Sequence, residues 1–180
     1  MTSQEIKVAG NRIAVIIGKG GSTRRMLERT TSTTITIDSE EGGVHVESED
    51  PVAVVQTTQI IKAIGRGFSP ERALKLLEDE DMILEIIDLS DVCSTQKQFD
   101  RLRGRIIGRG GKAREQIEDM TGTVISVYGK TVAIIGDLEQ IRTTRTGIQM
   151  IIDGMPHTSV FSYLDRKKKE AKQDILGYYY

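Results

Sequence analysis

The chain repeats itself, and that repeat limits the possible folds more than any other feature. Ile16-Ile17-Gly18-Lys19-Gly20-Gly21 returns as Ile106-Ile107-Gly108-Arg109-Gly110-Gly111, ninety positions later. Beyond the glycines, Arg24 aligns with Arg114, Leu27 with Ile117, Glu28 with Glu118, Thr31 with Thr121, Ile35 with Ile125 and Ile37 with Val127. The offset then falls to 88 at Val44-His45-Val46 and Val132-Ala133-Ile134, and to 87 at Asp50/Asp137 and Ile61/Ile148. This drift places a longer loop in the first copy. Two copies of a roughly 80-residue unit are too few and too long for a solenoid, so the chain reads as two homologous small domains. The expected organisation is a first domain over residues 1–67, a linking helix over 68–81, a second domain over 82–155, and a basic C-terminal helix with a tail over 156–180.

The same order of elements is expected in both copies. Glu5 to Val8 alternates like a short strand, and Asn11 is placed to cap a helix from Arg12 to Ile17. Ser22 is the expected cap of a second helix through Arg29. Thr33 to Asp38 is β-branched and alternating, and it pairs with Val44 to Glu47 across Glu40-Glu41-Gly42-Gly43. Asp50 and Pro51 open a helix whose apolar positions are Val52, Val55, Ile60, Ile61 and Ile64. In the second copy the elements are a strand over Met82–Leu89, helices over Thr95–Ile107 and Lys112–Met120, a hairpin over Gly129-Lys130, and a helix over Leu138–Ile152. The unit is β-α-α-β-β-α. Ser69 to Leu77 links the copies, and Ser159 to Lys172 forms a basic helix after Pro156.

Each glycine loop lies between two helices. Its glycines permit a tight turn and let a phosphate backbone approach the main chain. The following helix offers free N–H groups and a positive dipole end, and Lys19 or Arg109 adds charge. These parts suit a nucleic-acid backbone clamp. A P-loop is excluded, because Gly111-Lys112 is followed by Ala113 and Ile106 stands where the first glycine belongs. A dinucleotide fingerprint is excluded by Thr23 and Ala113 at the third glycine position.

Two Ile-Ile-Gly-x-Gly-Gly segments in β-α-α-β-β-α units resemble the KH domain in its type I arrangement. The resemblance runs from about Gln4 to Met155. It implies an α+β fold of two tandem type I KH domains, packed in a pseudo-twofold arrangement, with each loop clamping about four nucleotides of single-stranded RNA. Gly104-Arg105-Ile106-Ile107-Gly108-Arg109-Gly110-Gly111-Lys112, Ile117-Glu118, Pro156-His157 and the basic helix are similar to the two-KH ribosome-assembly proteins called partner of Nob-one in eukaryotes, which have short archaeal homologues. That family implies binding near the 3′ end of small-subunit ribosomal RNA during its maturation, alongside an endonuclease and a translation initiation factor subunit. The first copy of the eukaryotic relatives lacks the glycine loop, which is intact here.

The formal net charge of -1 hides a strong asymmetry. Arg12 to Arg29 has a net charge of +4, Arg101 to Asp119 +3 and Arg166 to Lys172 +4, whereas Asp38 to Asp50 holds six acids and no base. Charge and loop coincide in both copies, which selects the RNA-binding residues. In the first copy these are Gly18, Lys19, Gly20, Gly21, Arg24 and Arg25. In the second they are Arg105, Gly108, Arg109, Gly110, Gly111, Lys112 and Arg114. Ile17, Met26, Ile35 and Ile37, with Ile107, Ile117, Ile125 and Val127, are the expected floor of a base-holding groove, although core packing is the competing role for each. Tyr128 is the one aromatic candidate for stacking.

The longest apolar run, Ile13 to Ile17, is far short of the ~20 residues a membrane helix needs, and no signal peptide is visible. A single cysteine (Cys93) and two histidines (His45 and His157) give no disulfide framework and no metal site. His45 reads as structural, and His157 either contacts RNA or caps a helix. No catalytic constellation appears and no cofactor is implied, so the expectation is a cytoplasmic, non-enzymatic RNA-binding protein. Two rivals stand beside it: a general RNA-binding or RNA-decay accessory module, and a protein-docking scaffold built on KH folds.

Overall fold

The computed structural model describes residues 1–180, which form two compact units, Met1–Leu84 and Glu85–Tyr180. In the first, strand β1 (Thr2–Lys7) is followed by helix α1 (Gly10–Ile17), a 3-10 turn over Lys19–Gly21 and helix α2 (Ser22–Thr31). Strands β2 (Thr34–Asp38) and β3 (Gly43–Ser48) and helix α3 (Pro51–Gly65) complete the repeat. The antiparallel sheet has the order β1-β3-β2, with Ile35 opposite Val46 and Ile37 opposite Val44. Alternation along these strands turns Ile35, Val44 and Val46 inward.

Helix α3 packs on β1 and β3, and here the expected stripe shifts. Val52 and Val55 are 61% and 55% exposed. The buried face is instead Ala53, Val54, Thr57, Thr58, Ile60, Ile61, Ala63 and Ile64. Two threonines can sit on that face because their hydroxyls donate to Ala53 O at 2.7 Å and Val54 O at 2.8 Å. Asp50 caps the helix by accepting from the Val52 N–H. Asn11 and Ser22 are not caps. Helix α1 starts at Gly10 after Ala9, and α2 starts at Ser22 after Gly21.

The segment after α3 is part of the first unit's interior. Ser69 caps helix α4 (Pro70–Ala73), which runs into a 3-10 turn over Leu74–Leu77. Phe68, Ala73 and Leu76 are buried, and these elements pack against α3.

The second unit repeats the plan with β4 (Ile83–Asp88), α5 (Gln96–Ile107), a 3-10 turn over Arg109–Gly111, α6 (Lys112–Thr121), β5 (Val124–Tyr128), β6 (Thr131–Gly136) and α7 (Leu138–Ile152). Its antiparallel sheet has the order β4-β6-β5. The core gathers Phe99, Ile106, Ile117, Ile125, Ile134, Ile148 and Cys93. Helix α8 (His157–Tyr178) is longer than the Ser159–Lys172 segment suggested, because it begins at His157 and runs into the tail as far as Tyr178. Its fully buried Val160 and Leu164 lie over Gly147 of α7, where a Cβ would stand 3.2 Å from Leu164. Gly147 therefore lets α8 lie close against α7. No helix is long and apolar enough to cross a membrane.

A buried hydroxyl chain recurs at the repeat spacing. The Thr31 and Thr33 hydroxyls are 2.8 Å apart and the Thr33 and Thr57 hydroxyls 3.5 Å apart; Thr121, Thr123 and Thr144 repeat this at 2.8 and 3.2 Å. In each unit it ties the end of the second helix and the entry to the following strand to the long helix.

Candidate nucleic-acid interface

The two glycine loops have nearly the same backbone. Gly18 and Gly108 share φ/ψ of 71/176° and 74/176°, Gly20 and Gly110 share 59/26° and 60/22°, and Gly21 and Gly111 share 79/14° and 79/7°. The loops begin alike: the Gly18 N–H donates to Ala14 O and the Gly108 N–H to Gly104 O, both at 2.9 Å. The first glycine is required twice over. Its φ/ψ belongs to a region almost closed to side chains. A Cβ on Gly18 would also lie 2.2 Å from Thr23 Oγ1, and one on Gly108 2.6 Å from Ala113 Cβ. At Gly20 and Gly110 the reverse holds, since nothing lies within 4 Å of a Cβ there. That open side is where a sugar-phosphate backbone can approach the main chain.

The helices behind the loops carry no side-chain caps, at Gly21 for α2 or at Gly111 for α6. By contrast Asp50, Thr95 and Asp137 cap α3, α5 and α7. Helix-start N–H groups without a capping side chain, with a positive dipole end, suit an anion. Lys19 and Arg109 are exposed at the loop tips. Each unit therefore presents a glycine turn, an uncapped helix start and a basic tip, an arrangement suited to a phosphate group.

Residues 3–67 match the KH domain family and residues 83–169 match the eukaryotic type KH domain, type I. A KH domain-containing protein of Methanocaldococcus jannaschii is 38% identical over 172 residues, which are 93% of this chain and 75% of that protein. A Dim2p of Pyrococcus horikoshii is 50% identical, with a TM-score of 0.85 over 92% of this chain and 99% of that one. The chain belongs to the PNO1/Dim2 family of two-KH-domain proteins. The pre-rRNA-processing protein PNO1 of Saccharomyces cerevisiae is 32% identical over 125 residues, and the chain spans 46% of its length. Among solved structures, the Dim2p of Pyrococcus horikoshii in complex with a/eIF2alpha and rRNA is 50% identical. Its TM-score is 0.87, with 94% of this chain and 95% of that one covered. A protein of Aeropyrum pernix, 38% identical, superposes with a TM-score of 0.92 over 99% of this chain and 97% of that one.

The sequence-derived site divides on this scaffold. Lys19, Arg25, Arg109 and Lys112 are exposed, and Arg24 and Arg114 are half-buried. Ile17, Met26, Ile37, Ile107 and Val127 keep accessible surface, as a groove floor requires. Ile35, Ile117 and Ile125 do not: they are 1%, 0% and 0% exposed and belong to the core. Alternate residues of β2 and β5 point to the helix-covered face, and only the distal ones, Ile37 and Val127, stay partly open. Tyr128 is half-buried at the end of β5.

Arg105 has a different task from the one expected. Its guanidinium donates to Ile151 O at 2.6 Å and Met155 O at 2.7 Å, closing the end of α7. Its own carbonyl lies 2.7 Å from His157 Nε2, which ties α5 to the start of α8. The first unit closes the equivalent carbonyls, Ile64 O and Phe68 O, with Arg12 at 2.8 Å each. The carbonyls obey the 87-residue offset, whereas the arginines stand one helical turn apart in the repeat frame. Aligning the copies therefore could not reveal this clamp; only the carbonyl pairs align. Arg105→Ala is expected to destabilise the second unit by about 2 kcal/mol, since charge-assisted hydrogen bonds are lost, and to leave RNA affinity at low temperature nearly unchanged. Urea unfolding paired with an RNA titration checks both parts.

Proposed function

We propose that this chain is an RNA-binding factor of small-subunit ribosome maturation that grips single-stranded RNA with both glycine loops. The observation that carries this reading is the presence of two intact loops with matching backbone angles, each open at its central glycine and each backed by an uncapped helix start. At each loop, Gly20 or Gly110 admits the RNA backbone and Lys19 or Arg109 neutralises phosphate. Arg24, Arg25 and Lys112 add charge along the helix, whereas Arg114 is held by Glu118. Ile17, Met26, Ile37, Ile107 and Val127 hold the bases. With few aromatics nearby, base contact rests on aliphatic packing and hydrogen bonds. Tethering two weak sites raises the effective concentration at the second once the first is filled.

The relatives support rRNA as the target and an initiation factor subunit as a partner. Curated relatives are pre-rRNA-processing proteins, and a 50% identical Dim2p was solved with rRNA and a/eIF2alpha. Within this reading the RNA is the 3′ region of small-subunit rRNA, one partner is an initiation factor subunit, and a maturation endonuclease is a second. The chain's own role is cytoplasmic and non-enzymatic: it positions RNA and does not cut it. Crosslinking in cells with sequencing of the bound RNA tests this. A footprint at the small-subunit rRNA 3′ end is the expected result, and dispersed messenger sites would show a general RNA-binding module instead.

A further inference from the structure

The two loops share a backbone but differ in the charges around it. In the first unit, the Nε of Arg24 is buried and has no hydrogen-bond partner. The acid one turn further on does not take it: Glu28 instead accepts the Ile35 N–H of β2 on Oε1 at 2.8 Å. Arg25 makes no ion pair, and its guanidinium lies over the loop, with Nη1 2.9 Å from where a Cβ on Gly21 would stand. In the second unit the counterpart Arg114 is paired with Glu118. The counterpart of Arg25 is Glu115, whose Oε1 lies 4.0 Å from the corresponding point at Gly111. One loop is flanked by two unpaired guanidinium groups, the other by a neutralised arginine, a carboxylate and one free cation, Lys112, where the first loop has Ser22.

We propose that Arg24 and Arg25 form an additional phosphate-binding site at the first loop, which the second loop lacks, so that the first loop is the main electrostatic anchor for RNA. The inference rests on the reading that both loops grip single-stranded RNA. The half-buried Arg24 guanidinium has no acidic partner in the free protein, and a phosphodiester at the loop supplies one on binding. Arg114, the counterpart of Arg24, is already used internally, and Glu115 repels a phosphate. The pairing Arg114–Glu118 thus stabilises the free protein, whereas the unpaired Arg24 favours the RNA complex.

The opposed signs give the test. A short single-stranded RNA ending in the 3′ sequence of small-subunit rRNA is titrated with the full chain between about 50 and 200 mM salt. Arg24→Met is expected to weaken binding about tenfold and to lower the slope of log affinity against log salt by about 0.7. Replacing Arg25 by Met as well brings the loss of slope to about 1.4. In the free protein Arg24→Met raises the thermal midpoint, because an orphaned donor disappears. Arg114→Met lowers the midpoint and leaves the slope unchanged. Glu115→Arg tightens binding and steepens the slope. Equal slope changes at Arg24 and Arg114, a lower midpoint for Arg24→Met, or no gain from Glu115→Arg overturns the proposal. If both aspartate loop variants described below weaken binding while the arginine variants behave alike, the two-loop reading stands and only the asymmetry fails. If neither aspartate variant weakens binding, the reading itself fails and takes the proposal with it.

Discussion

Replacing Lys19 and Gly20 by aspartate, or Arg109 and Gly110 by aspartate, is expected to weaken binding of ribosomal RNA 3′-end fragments by about a hundredfold or more. Each double change exchanges a cation for an anion at an exposed loop tip and puts a second carboxylate into the open space at the middle glycine. Repulsion of phosphate and loss of close backbone approach act together. The scale of the effect comes from linkage: losing one of two tethered sites forfeits the whole gain from high effective concentration, which runs to 10²–10⁴. The fourfold variant is expected to bind more weakly than either parent. Stability should change little, because aspartate tolerates left-handed backbone better than most residues and nothing lies within 4 Å of the Cβ at Gly20 or Gly110. Fluorescence anisotropy on the two variants and their combination measures this, and wild-type affinity in the fourfold variant would falsify the clamp.

The first glycine of each loop should respond in the opposite way, through the fold. Gly18→Ala and Gly108→Ala are each expected to cost about 3 kcal/mol or more of stability. At Gly18 the new Cβ would stand 2.7 Å from the main-chain nitrogen of Thr23 as well as 2.2 Å from its hydroxyl; at Gly108 it would stand 2.8 Å from the main-chain nitrogen of Ala113. A collision with backbone cannot be relieved by a rotamer change, so the loop or the following helix must move. Gly20→Ala meets no atom and costs only about 1–2 kcal/mol for its left-handed φ. Denaturant unfolding of the three alanine variants separates the two positions. Equal losses at Gly18 and Gly20 would mean that the close approach does not hold the loop.

Much of this organisation was legible because repetition made each reading twice testable. The glycine loops, the β-α-α-β-β-α order, the cap at Asp50 and the Gly129-Lys130 turn all come from local chemistry, where a residue acts on neighbours within one turn of chain. The errors share a cause as well. Val52 and Val55 fit a helical stripe, but that stripe is rotated from the one that meets the sheet, and threonines with hydroxyls bonded to the preceding turn take the inner face. Arg105 looked like part of a basic loop segment, yet its partners are 46 and 50 residues away. Ile35, Ile117 and Ile125 looked like groove residues, and the packing of helix on strand sealed them. Segment 68–77 reads as a linker from its proline and charges, but Phe68, Ala73 and Leu76 are drawn into the first unit.

By itself the sequence determined that there are two KH units, where each loop lies, and that cations gather at both despite a net charge of -1. Those properties are carried by spacing and residue type, which persist in any conformation of the chain. Only the tertiary structure decided which cations are free to meet RNA. Arg12 and Arg105 are spent on helix-end carbonyls, Arg114 on Glu118, and Arg24 is left with a buried donor and no acceptor. The physical reason is that a guanidinium's availability depends on which acceptors lie within about 3 Å of it, and those distances exist only once distant segments are packed together.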